Sequence, residues 1–110
     1  MNWIELNSEE QLDTIKTLSN EKPQVIFKHS TRCSISGMVK TRLERSTQPS
    51  GIDFYYLDLI AYRSLSGKIA ELFSVEHESP QIIMIKNEAC IYDESHNGIQ
   101  MDEIEEQSLR

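Results

Sequence analysis

Apolar positions along this chain alternate between a two-residue and a helical rhythm, and each change of rhythm marks a change of element. "WIEL" predicts a short strand. "SEEQLDTIKTLSN" follows as a helix, with Leu12, Ile15 and Leu18 at helical spacing and Ser8 placed to cap the first turn. Pro23 breaks that helix, and the β-branched and aromatic run "QVIFKH" predicts a second strand. From Ser34 the apolar positions Ile35, Met38, Val39 and Leu43 return to helical period until "STQPSG" stops them. "IDFYYLDL" predicts a third strand. "AYRSLSGKIAELFSV" predicts a third helix, in which Leu65, Ile69, Leu72 and Phe73 share a face and Gly67 is a mild weak point. After "EHESP" the runs "QIIMIK" and "ACIYDE" form two strands around a tight polar turn at Asn87, and "MDEIEEQSLR" closes the chain as a helix.

The predicted order is βαβαβαββα. Strands that alternate with helices pair in parallel, whereas the late two-strand turn imposes an antiparallel pair, so the α/β fold has a mixed sheet. The 110 residues suffice for one domain, 1–110, with a core that needs no covalent staple. No repeat, low-complexity tract or linker divides the chain.

Charge and cysteine content narrow the function. Eighteen acidic against 11 basic residues give a net charge of −7, which argues against nucleic acid as a partner. "MNWIELNSEEQ" lacks the basic flank and apolar core of a targeting segment, and no apolar run approaches the roughly 18 residues that span a bilayer, so the expected location is the cytoplasm, without membrane attachment. The two cysteines, Cys33 and Cys90, exclude a disulfide framework and a four-cysteine zinc site, which leaves redox chemistry or packing.

Cys33 stands where the second strand hands over to a helix. The first N–H groups of a helix lack intrahelical acceptors and carry positive partial charge, which favours a thiolate over a thiol. Arg32, immediately before it, adds to that field. Polar neighbours Ser30, Thr31, Arg32, Ser34 and Ser36 point to an exposed loop rather than to a buried packing cysteine. Cys90, within an apolar run, is expected to be core packing in a buried strand. His29 lies four residues before Cys33, but no further ligand stands near it in sequence, so a metal site is not expected and a structural histidine is. A phosphatase loop would need arginine six residues after the cysteine, where Val39 stands. Lys28, Arg32, Lys40, Arg42 and Arg45 form a basic cluster with Glu44 as the sole opposing charge, suited either to attracting an anionic thiol or to a solvated helix face.

"CSIS" between a strand and a helix, with "ESPQIIMI" downstream, resembles the thioredoxin superfamily with a monothiol site, and the "KHSTRC" context resembles the monothiol bacilliredoxin group of bacillithiol-system redox and general stress proteins of bacteria. The resemblance covers nearly the whole chain and implies a thioredoxin-like three-layer fold. It implies that Cys33 is the catalytic nucleophile, that Arg32, Ser34 and Ser36 stabilise its thiolate, and that Thr31 and the dipeptide Ser79-Pro80 bind substrate. Pro80 is then expected in the cis form facing Cys33, with Ser79 offering backbone hydrogen bonds to an extended thiol substrate. The family has proline directly after the cysteine, whereas this chain has Ser34, which leaves one more N–H donor near the sulfur.

The implied activity is thiol–disulfide exchange with one cysteine. Cys33 takes a low-molecular-weight thiol, bacillithiol by resemblance, from mixed disulfides on client proteins, and a second thiol molecule clears it. The small thiol is a co-substrate; no permanently bound cofactor is expected. Ser36 occupies the resolving position, so the missing second cysteine is supplied by another molecule, and the Ser36 hydroxyl is expected to donate to the thiolate. A different class of function is an iron–sulfur carrier like monothiol glutaredoxins, whose Cys-Gly-Phe-Ser site Cys33 and Ser36 match and Ser34 and Ile35 do not. A thioredoxin-like module that binds without catalysis is a third.

Overall fold

The computed structural model describes residues 1–110. In chain order it contains β1 (Trp3–Glu5), α1 (Glu10–Leu18), β2 (Gln24–His29), α2 (Ser34–Arg45), β3 (Asp53–Asp58), α3 (Arg63–Phe73), β4 (Gln81–Lys86), β5 (Ala89–Ser95), a 3₁₀ turn (His96–Gly98) and α4 (Met101–Ser108). The βαβαβαββα order read from the periodicity is the observed one. The five strands form one mixed sheet in the order β1-β3-β2-β4-β5, with β1, β3 and β2 parallel and β4 and β5 antiparallel to their neighbours.

Helices cover both faces of the sheet, which makes three layers. On one face Leu12 and Ile15 of α1 and Leu65 and Ile69 of α3 pack on Ile26, Leu57 and Ile83; on the other, Val39 and Leu43 of α2 and Ile104 of α4 pack on Val25, Phe27, Phe54 and Ile82. β2 is the central strand and all six of its residues are buried. That is why it reads as a near-continuous apolar run rather than an alternating one. The tight turn from β4 to β5 places Asn87 and Glu88 at φ 52° and 66°, the left-handed pair that closes a two-residue hairpin.

Four local expectations are corrected. Ser8 does not cap α1 with its hydroxyl; Gln11 reaches back instead, its Oε1 accepting the N–H groups of Asn7 and Ser8 at 2.8 and 3.1 Å, the half of a capping box that N3 supplies. Ile35 and Met38 do not join the buried face of α2 but are 40% and 66% exposed, because the helix turns Ser36, Val39 and Leu43 to the sheet. Leu72 is likewise exposed while Phe73 is buried. β5 is a partly exposed edge strand rather than a buried one, so Cys90 is half-buried at the sheet margin. No helix is long and apolar enough to cross a membrane.

Candidate active site

The end of β2 and the start of α2 are joined by the turn Ser30–Cys33, closed by the Cys33 N–H donating to the Ser30 carbonyl at 3.1 Å. Cys33 occupies the N-cap of α2 with extended backbone (φ −106°, ψ 120°), and its carbonyl accepts the first helical N–H, from Gly37, at 3.1 Å. A side chain at this position stands beside the N–H groups of the first turn, which have no intrahelical acceptor. The thiol is half-buried and free. Thr31, Arg32 and Ser34 are all exposed around it.

Ser36 lies elsewhere than expected. Its side chain is fully buried under the turn, where Oγ accepts the Ser30 N–H at 3.1 Å and sits 2.6 Å from His29 Nδ1. The Ser36 hydroxyl thus links the Ser30 backbone to the His29 ring, and the His29 tautomer sets which of the pair donates. Burial lowers the pKa of His29 below its ordinary value, as does the nearby Lys40 ammonium, while Asp58 and Glu44 oppose the shift. The ring stacks on Phe27 at a centroid distance of 5.8 Å and lies tilted against Tyr56 at 5.6 Å. The Ser36 hydroxyl therefore braces the turn rather than donating to Cys33. No signal in the linear sequence pairs His29 with Ser36; the contact exists because one ends a strand and the other faces inward from the next helix.

Ser79 and Pro80 enter from the neighbouring strand. The antiparallel register sets Gln81 opposite Lys28, and Ser79 and Pro80 are the two residues that lead into β4 at that end, where β2 runs out towards the Cys33 turn. The Ser79-Pro80 bond is cis. Pro80 is buried and Ser79 half-buried. The Ser79 hydroxyl oxygen is shielded from solvent and has no partner.

Lys28 departs from the basic cluster to which its sequence position assigned it. Strand alternation turns it to the opposite face of the sheet, where it is fully buried, with Nζ donating to the Ser66 carbonyl at 3.2 Å and 3.4 Å from His77 Nδ1. Burial without a carboxylate lowers its pKa to about 8. Of the remaining four cations, Lys40 pairs with Glu44 at 2.9 Å, and Arg32, Arg42 and Arg45 have no ion-pair partner.

The second cysteine contrasts with the first. Cys90 donates its S–H to the Tyr92 carbonyl at 3.5 Å, and burial pushes its pKa up, which keeps it a thiol. No hydrogen bond of any kind reaches the Cys33 sulfur, and no cap bond from its side chain closes the helix start. The arrangement is one half-buried free thiol at a helix start, a serine three residues further on, and a cis proline leading into the strand next to β2.

The sequence profile of the monothiol bacilliredoxin BrxC matches residues 4–104. The chain belongs to the monothiol bacilliredoxin family. A solved protein provisionally described as an oxidoreductase with a thioredoxin fold is 28% identical, with a TM-score of 0.80 over 94% of this chain and 91% of that one. The thioredoxin of Malassezia sympodialis (Mala s 13) is 15% identical, with a TM-score of 0.71 over 98% and 89% of the two chains. The Fasciola hepatica thioredoxin is also 15% identical, with a TM-score of 0.70 over 96% of each chain. The last two establish the thioredoxin fold. Family and fold together support a redox protein of the oxidoreductase class.

Proposed function

We propose that this bacilliredoxin removes a low-molecular-weight thiol, bacillithiol by its family, from mixed disulfides on client proteins, using Cys33 alone. The observation that carries this reading is the pairing of a free, hydrogen-bond-independent sulfur at the start of α2 with a serine at position 36. The Cys33 thiolate attacks the small-thiol sulfur of the client mixed disulfide. One S–S bond forms between Cys33 and the small thiol, the original S–S bond breaks, and the client leaves as a thiolate. A second small-thiol thiolate then attacks the sulfur carried on Cys33, releasing a small-molecule disulfide and restoring the Cys33 thiolate. The reducing equivalent for the client comes from the second small thiol, since the first arrives and leaves at the disulfide level.

Mass spectrometry of an exchange with a bacillithiolated client tests this. The small-thiol mass should move to Cys33, the transfer should vanish in Cys33→Ser, and Cys90→Ser should behave as wild type. Ser36→Cys should close an intramolecular disulfide with Cys33 and expel the preloaded small thiol, since positions three apart on one helix are neighbours. Transfer of the mass to Cys90, or a client that remains modified, would refute the reading.

A further inference from the structure

The outer face of α2 carries a groove of about 860 Å³ that begins at Ser34, the residue after Cys33, and continues past Gly37, Met38, Thr41, Arg42 and Arg45. These positions follow the three- and four-residue steps of one helix face, so from Ser34 to Arg45 the groove runs along the helix for about 16 Å at 1.5 Å per residue. Its entrance is open: a Cβ at Gly37 would meet nothing within 4 Å.

The charge of this groove is the reverse of the molecule's. The chain has 18 acidic and 11 basic side chains, yet no carboxylate lines the groove. Glu44, the acidic residue of α2, turns away, accepting from Lys40 and from the Trp3 indole at 2.9 Å each. Arg42 donates to the carbonyls of Ile99 and Asn97 at 2.5 and 3.1 Å, which anchors its guanidinium at the groove wall without neutralising it. Arg45 has neither an ion pair nor a hydrogen bond within the chain, although the chain has an excess of carboxylates to offer it.

We propose that this groove is the subsite for the carboxylate end of the small thiol that Cys33 accepts. The ligand class is a low-molecular-weight thiol carrying one or more carboxylates about 10 Å from its sulfur, the length of three extended residues. Its sulfur meets Cys33, its body lies over Ser34 and Gly37, and its carboxylates reach towards Arg42, with Arg45 next along the same face adding its charge; both suit carboxylate recognition because each guanidinium presents a planar fork of donors. This inference rests on the oxidoreductase reading above, because it places the substrate of that same sulfur.

Two disulfides that differ only in charge test it: glutathione disulfide and the disulfide of glutathione diethyl ester. In each the Cys33 thiolate attacks one sulfur, forms the mixed disulfide and releases one thiolate, and stopped-flow or quenched mass spectrometry reads the rate. Wild type at low salt should prefer the carboxylate form over the ester by about tenfold. The ratio should collapse to within about twofold in Arg42→Gln/Arg45→Gln, and persist in Lys68→Gln, which removes a positive charge paired with Glu9 outside the groove. Arg45→Gln alone, which disturbs no internal hydrogen bond, should lose about a third to a half of the logarithmic preference. A ratio unaltered in the arginine variants, or lowered equally by Lys68→Gln, would overturn the subsite. Independently of exchange chemistry, S-methylglutathione added to Cys33→Ser should give salt-sensitive amide shifts at Gly37 and Thr41, and their absence would also overturn it. Failure of Cys33 to react with either disulfide, with those shifts present, would instead count against the oxidoreductase reading.

Discussion

Lys28 and His29 are consecutive in β2, both are buried, and they meet opposite fates on the two faces of the sheet. On the α2 face His29 is a neutral ring, packed against Phe27 and Tyr56 and bonded to Ser36, so its burial leaves no charge unpaired. On the α3 face Lys28 has a backbone carbonyl and a histidine nitrogen but no carboxylate, and the Gln81 Oε1 atom, opposite it in register, has no partner at all. Neutral, fully bonded groups support a turn cheaply; a buried ammonium without a counter-charge works against the fold. Of these two neighbours on β2, the one beside the reactive turn is neutral and hydrogen-bonded, and the one on the far face carries a charge without a counter-charge.

Loss of the Ser36 hydroxyl tests this contrast most severely. Ser36→Ala leaves the Ser30 N–H and His29 Nδ1 buried without partners, a cost of about 3 kcal/mol at about 1 to 3 kcal/mol per orphaned group. Denaturant melts should show that loss, while disulfide exchange at Cys33 per folded molecule should change less than about fivefold, because the hydroxyl is committed to the turn. A stable Ser36→Ala protein that has lost its exchange rate would instead return the hydroxyl to the sulfur.

The opposite sign is expected across the sheet. Lys28→Met keeps the length of the side chain and removes the buried charge, and should stabilise the protein by about 2 kcal/mol at pH 7. The pH dependence follows from the folded pKa of about 8 against 10.5 in the unfolded chain. Between those values the unfolded chain holds more protons, so wild-type stability rises with pH from 8 towards 10, and the full cost of the ammonium is present below 8. The difference between wild type and Lys28→Met should therefore shrink over pH 8 to 10 in paired denaturation curves. A constant or growing difference would mean that Lys28 is not buried as a charged group.

The smallest expected effect lies in acid. Burial, followed by the Lys40 ammonium, lowers the His29 pKa, so below its ordinary 6.5 the unfolded chain takes up a proton that the folded ring resists, and stability falls as pH falls. His77 is shifted in the same direction by burial and by Lys28. His29→Phe should leave a shallower acid slope than wild type, and an identical slope would assign the acid sensitivity to His77 or to other groups.

Element order, the mixed sheet, the cysteine at a strand-to-helix junction and the proline opening β4 were all legible in the chain, because periodicity and turn chemistry are local and each is set within about a dozen residues. Even the family was legible, from "KHSTRC", "CSIS" and "ESPQIIMI". Partners across elements were not. Ser36 looked like a donor to Cys33 because they share a helical turn, and the sheet gave it His29 instead. Lys28 looked like one of five clustered cations, and the pleat of a central strand sent it to the other face. The helical period marked Ile35, Met38, Val39 and Leu43 alike, and the packing angle of α2 decided that the first two stay in solvent. Linear sequence determines which residues can form an element; which way that element faces, and so which buried polar atoms find one another, is decided by the packing of surfaces far apart in the chain.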